Sequence, residues 1–202
     1  MDKIIHTDVY KKNMEAYVKA YPEDALKLKN KQYKKSKRVV TPIICDDGMI
    51  TFCVSGDDDK NYMLSGVYNP NMFWKKKIEG FGKIAPNTPF IVMGMGNMDQ
   101  IRMYLEAAGE DCLILVYEPS IEIFEAVMEN ADISDLIIDK PVLLVVDQLN
   151  GADLKKSIQM MIKWDTVASL KVLVTPNYDY LFPKKIKEVL RQLDEIYNDM
   201  IV

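Results

Sequence analysis

The chain has 202 residues, 49% hydrophobic and 28% charged, with a formal net charge of −4. That length and balance allow a sizeable core and exclude both a disordered tail and a small disulfide-stapled domain. No apolar run approaches the ~18 residues of a membrane span, and Met1 to His6 lacks the apolar centre of a secretory signal, so no membrane partner is expected.

Three cysteines without a Cys-x-x-Cys pair argue for a reducing, cytoplasmic setting and against a disulfide framework. The single histidine, His6, excludes a multi-histidine metal centre and leaves no Ser–His–Asp triad to assemble. It reads as a solvated terminal residue, and no metal is expected. Charge is uneven. Residues 1–38 carry eleven Lys/Arg against five Asp/Glu, and the remainder fifteen against twenty-five. A basic arm of this kind could touch nucleic acid or an acidic partner, but a solvated Lys-rich helix face is the simpler reading. Its aromatics recur at helical spacing and form no stacking platform, so nucleic acid is not expected.

Met14, Tyr17, Val18 and Tyr21 fall on one helical stripe, which Pro22 ends. Glu23 and Asp24 suit the first turn of a second helix, with Ala25 and Leu28 as its buried positions. The basic helical arm spans 1–38. From Val39 the period changes to two. Strands at Val39–Cys45, Met49–Val54 and Asn61–Leu64, joined by turns at Asp47-Gly48 and Ser55–Asp59, predict a small antiparallel β-meander. A helix starting at Asn69-Pro70, with Trp74 and Ile78 inward and Lys75–Lys77 outward, completes a second unit over 39–88.

Residues 89–202 alternate strand and helix four times. The strands Phe90–Met93, Cys112–Tyr117, Val142–Val146 and Lys171–Thr175 are continuous apolar runs, as expected for parallel strands covered on both faces. Helical stripes follow at Ile121, Phe124, Val127 and Met128; at Leu154, Ile158, Met161 and Ile162; and at Ile186, Val189, Leu190, Leu193 and Ile196. Asn97 is the expected N-cap of the first helix, with Gln100 three residues on as a variant capping box, and Gly109 its end. The fold class expected is α/β: a Rossmann-like parallel sheet of order 3-2-1-4, preceded by the helical arm and the meander.

The glycine turn between the first strand and helix, Gly94-Met95-Gly96-Asn97, is the first site candidate. Glycines let the backbone turn sharply, and the following helix offers free N–H groups to an anion. A third fingerprint glycine would fall at Asp99. That acid would repel a phosphate by about 3 kcal/mol at ~6 Å and an effective dielectric of ~20. A zwitterion such as S-adenosylmethionine is therefore better tolerated than a pyrophosphate, and an unliganded close turn remains the simpler reading. Glu118 lies 22 residues after Gly96, where such units place a ribose-binding carboxylate. Asp147 ends the next strand, and Asn177-Tyr178 follows the fourth, so these residues could wall the same crevice. The Asp-x-Asp spacing in Asp57-Asp58-Asp59 occurs in metal- and nucleotide-binding sites, but Asp-rich hairpin turns are ordinary.

Several motifs together resemble one family: Asn13-Met14-Glu15-Ala16 with the Pro22 helix, the meander, Tyr68-Asn69-Pro70, Gly94-x-Gly96, Val116-Tyr117-Glu118-Pro119-x-x-Glu122-Ile123-Phe124, and Thr175-Pro176-Asn177-Tyr178. The chain resembles the N-terminal region of the motility-associated factor (Maf) glycosyltransferases, which transfer nonulosonic acids to flagellin. The family's richer turn, Gly-x-Gly-x-Gly-Tyr-His, has Met98, Asp99 and Gln100 here in place of its last three residues. The resemblance implies an accessory domain, inactive alone, with a downstream catalytic glycosyltransferase domain and flagellin as partners; it carries over no catalytic residue. An S-adenosylmethionine-binding, methyltransferase-like domain and a sugar-nucleotide binder are the alternatives. In each, Gly94, Gly96, Asn97, Glu118 and Asp147 are the ligand-contacting candidates. The apolar last helix, reaching Val202 without a C-cap glycine, suggests that the natural reading frame continues.

Overall fold

The computed structural model describes residues 7–85, 88–109, 112–162 and 169–201, with the backbone alone for 200 and 201. His6 and Val202 lie outside the described residues. Two helices open the chain, α1 (Asp8–Ala20) and α2 (Pro22–Lys29). Thr7 caps α1 by accepting from the Tyr10 amide, and Pro22 sits at the first turn of α2, where its missing N–H costs nothing. Three strands follow, β1 (Val40–Ile44), β2 (Ile50–Ser55) and β3 (Asn61–Met63), forming an antiparallel sheet in chain order. Val40 faces Val54 and Ile44 faces Ile50 across the first hairpin. Gly48 holds φ +81 in its turn, a conformation that favours glycine.

Helix α3 (Met72–Gly80) leads to the second sheet. It begins two residues after Pro70, because the Asn69 side chain turns back to accept from the Met72 amide at 3.0 Å. Strands β4 (Phe90–Met93), β5 (Ile114–Glu118), β6 (Val142–Val146) and β7 (Lys171–Val174) alternate with helices. They pair in parallel in the order β6-β5-β4-β7. Every residue of β4 and β5 is buried, which explains their apolar runs Phe90–Met93 and Ile114–Tyr117; Glu118 at the end of β5 is the buried exception. The helices between are α4 (Asp99–Ala108), α5 (Ile121–Asn130), α6 (Ser134–Ile138), α7 (Asp147–Asn150) and α8 (Leu154–Met161). After β7 come α9 (Tyr178–Leu181) and α10 (Pro183–Ile201).

One core of buried side chains includes Tyr17 of α1, Phe52 of β2, Trp74 of α3 and the parallel strands. Phe90 stacks on Tyr104 at 5.1 Å, and Trp74 meets Tyr104 edge-on at 6.1 Å. Asn13 ties the arm to this body. Its buried amide donates to the carbonyls of Met128 and Ala131, and its oxygen accepts from the Ile133 amide. It thereby satisfies backbone groups that the end of α5 leaves without helical partners.

Several sequence expectations need correction. Val18 and Leu190 lie on their helical stripes but are 50% and 42% exposed, because each flanks its buried row. The short helices α6, α7 and α9 have too few residues to show a period. Strand β5 starts at Ile114, with Cys112 buried just before it. Met98, not Asn97, is the residue before α4, and it is in the left-handed region at φ 67. No capping box forms there: Gln100 turns inward and donates to the Met95 carbonyl at 2.6 Å.

Candidate functional site

The parallel sheet's C-terminal edge is where open α/β sheets offer a crevice. Gly94 and Gly96 hold φ of +103 and +55, so the backbone of the turn after β4 favours glycine at both positions. Space demands the first as well. A Cβ on Gly94 would lie 2.5 Å from the Tyr178 ring. The aromatic face of α9 is packed directly on the glycine.

Glu118, the last residue of β5, turns its carboxylate into the same turn. One oxygen accepts from the Met95 amide at 3.0 Å and from the Tyr178 hydroxyl at 2.6 Å. The other accepts from the Ser120 amide at 2.8 Å. The amides of Met95 and Gly96 also face the Tyr178 phenol oxygen. The backbone donors that could cradle an anion are thus directed at the chain's own oxygens. Burial pushes the Glu118 carboxyl up to about 7 against the opposing pull of its three donors. Burial, with the neighbouring Glu118 charge, also pushes the Tyr178 phenol well above its ordinary value.

The small sheet closes the crevice from outside. Asn97 donates to the Ile50 carbonyl of β2 at 2.9 Å and to Asp99 at 2.7 Å. Asn177, at φ 67 after β7, donates to the Met63 carbonyl of β3 at 2.6 Å. Two asparagines on neighbouring turns therefore suspend the meander over the sheet edge. Thr175 completes the seal, its hydroxyl donating to the Gly94 carbonyl at 2.7 Å. Gly94, Gly96, Asn97 and Glu118 converge here as one buried cluster.

Asp147 stands apart from that cluster. It opens α7, accepts from the Tyr117 hydroxyl at 2.8 Å, and pairs with Lys185 of α10 at 2.8 Å. Among the described residues it shares no hydrogen-bond partner with Glu118, and Tyr117 and Glu118 leave the strand on opposite faces. The aspartates of the second hairpin are engaged as turn residues. Asp57 accepts from Arg38, and Asp58 accepts from the Tyr62 hydroxyl. Among the described residues no group of three or more His, Cys, Asp or Glu side chains could hold a metal.

Sequence reasoning placed Tyr178 on the crevice wall but missed that it fills the crevice. It also missed Ser120, whose amide holds Glu118 while its hydroxyl accepts from the Ile123 amide as the N-cap of α5. The Ser-x-x-Ile start after Glu118-Pro119 carried a capping signal that the apolar stripe overshadowed.

The architecture defines an α/β protein whose parallel sheet edge is covered by a separate antiparallel sheet. No family model matches the sequence, and no curated protein matches it. A solved structure does: that of MAf glycosyltransferase from Magnetospirillum magneticum AMB-1, similar with a TM-score of 0.55 at 12% identity. The match covers 95% of this chain and 36% of that one. It shows a Maf-like fold, and the chain spans little more than a third of the longer structure. Met98, where the sequence resemblance would put a third glycine, adopts the left-handed conformation that a glycine takes without strain.

Proposed function

We propose that this chain is an accessory α/β domain of a motility-associated-type glycosyltransferase and transfers no sugar by itself. One observation carries the reading: the glycine turn that would bind a nucleotide is occupied by Glu118 and Tyr178 and roofed by the meander. The fold likeness to part of a MAf glycosyltransferase supports the parentage. The motif run from Val116 to Phe124 supports the same N-terminal placement, with the boundaries 1–38, 39–88 and 89–202. In this reading a downstream catalytic domain supplies the chemistry, flagellin is the acceptor, and the setting is cytoplasmic.

Calorimetry and thermal shift with S-adenosylmethionine, NAD and a CMP-linked sugar test the site. A ligand that binds the folded state alone stabilises by about 2.7 kcal/mol at a hundred times its Kd. The expected result is no shift with any of them, and no transfer of nonulosonic acid to flagellin by the chain alone. A saturable shift that is lost in Glu118→Gln would establish a ligand site at the turn. Measurable transfer would overturn the accessory reading outright.

A further inference from the structure

A second concave region lies on the basic arm. The two N-terminal helices, the segment that leaves them and α5 enclose a groove of ≈ 860 Å³. Its floor is apolar, with Met14 and Val18 from α1 and Ala25 and Leu28 from α2. Val18 remains 50% exposed there. Its rim carries Lys29, Lys31 and Lys35. The groove's one acid, Glu125, is already spent on the Tyr33 hydroxyl and on Lys35. Lys29 and Lys31 make no ion pair among the described residues.

The position of Lys31 has a cost. Helix α2 ends with the Gln32 amide returning to the Lys27 carbonyl and the Lys31 amide to the Leu28 carbonyl. This closure puts Lys31 in the left-handed region at φ 51, where glycine is the usual occupant. A lysine kept there lifts a charged side chain over the rim at the expense of the fold.

We propose that this groove docks an acidic, apolar-anchored polypeptide segment of a partner protein. The apolar floor at helical spacing suits leucine-like anchors on one helix face, and the unpaired lysines suit carboxylates flanking them. Opposite charge at an exposed rim steers encounter and sets specificity. The inference stands on the arm and α5 and does not use the function assigned to the sheet edge.

The test is fluorescence anisotropy of the full chain with a fluorescein-labelled peptide of about four helical turns, leucine on one face and glutamate elsewhere. The same peptide with lysine for glutamate, a single-stranded oligonucleotide and anionic vesicles serve as competitors. The acidic peptide should bind, and more weakly as salt rises. Lys29→Glu with Lys31→Glu should weaken it about tenfold, and Val18→Glu should do so by blocking the floor. Lys31→Gly should weaken binding while raising the melting temperature, which separates docking from folding. Failure of the acidic peptide to bind would overturn the proposal. So would binding that the lysine variants leave unchanged, or tighter binding of the oligonucleotide or the vesicles.

Discussion

The sheet-edge turn and the arm groove differ in how their polar groups are spent. At the turn, the amides of Met95 and Ser120, the hydroxyls of Tyr178 and Thr175, and the side chains of Asn97 and Asn177 all find partners within the chain. In the groove, Lys35 meets Glu125, while Lys29 and Lys31 stand beside apolar side chains with no ion pair among the described residues. The turn carries the recognisable motif, and the groove carries none. A glycine turn after a parallel strand is a device for close approach, and what approaches can be the protein itself. Here Tyr178 and Glu118 occupy the space and the donors that a nucleotide uses in related architectures.

The largest expected effect tests whether Gly94 serves the fold. Gly94→Ala must displace the Tyr178 ring and accept φ +103. We expect a loss of about 2–6 kcal/mol in denaturant unfolding. Gly48→Ala is the control: its φ is +81 but nothing lies within 4 Å. It should cost about 1 kcal/mol. Equal costs at the two positions would show that Tyr178 does not press on the turn.

Next in size is the pH response of Glu118. Its folded-state pKa of about 7 lies above the ordinary 4.5, so the folded protein holds this proton more tightly than the unfolded chain. The associated stability is complete below the unfolded value and is lost as pH rises through about 7. Between about pH 5 and about pH 8 the loss should be on the order of 2.5 kcal/mol. Glu118→Gln should flatten that difference. It should also lower stability at acidic pH, since one of its NH₂ hydrogens would face the Ser120 amide instead of accepting from it. A wild type and variant with parallel pH profiles would place the titration elsewhere. Tyr178→Phe removes a donor from the same carboxylate and should cost about 1–3 kcal/mol, with the midpoint of the pH profile moved upward.

The parallel and antiparallel sheets were legible because each declares its period: unbroken apolar runs in Phe90–Met93 and Ile114–Tyr117, alternation with turn residues from Val40 to Met63. The glycine turn and Glu118 were also legible as a converging pair. What occupied their donors was not. Tyr178 lies 60 residues from Glu118, and no local pattern announces a contact of that span. The same holds for the Asn97 and Asn177 bonds to the meander, at separations of 47 and 114 residues. Asn97 read as a helix cap because its side chain suits capping. A backbone carbonyl brought close by the other sheet draws its amide instead, while its oxygen faces the Asp99 amide at 3.3 Å. Asp147 was grouped with Glu118 by position at a strand end, although strand alternation sends their surroundings to different faces.

Asp147 supplies the smallest expected effect and the sharpest contrast with Glu118. Its side chain is 24% exposed, and its partner Lys185 is 47% exposed. An ion pair in contact with water contributes little, since the two charges are well solvated when apart. Asp147→Asn keeps an oxygen that can accept from Tyr117 and loses only the charge toward Lys185. The expected change in unfolding free energy is under ~1 kcal/mol, and it should shrink further as salt is raised. The measurement is denaturant unfolding of both proteins at low and high salt. A loss of several kcal/mol that persists at high salt would mean that Asp147 is bound into the buried network with Glu118. The separation drawn here between the sealed turn and the outer carboxylate would then have to be abandoned.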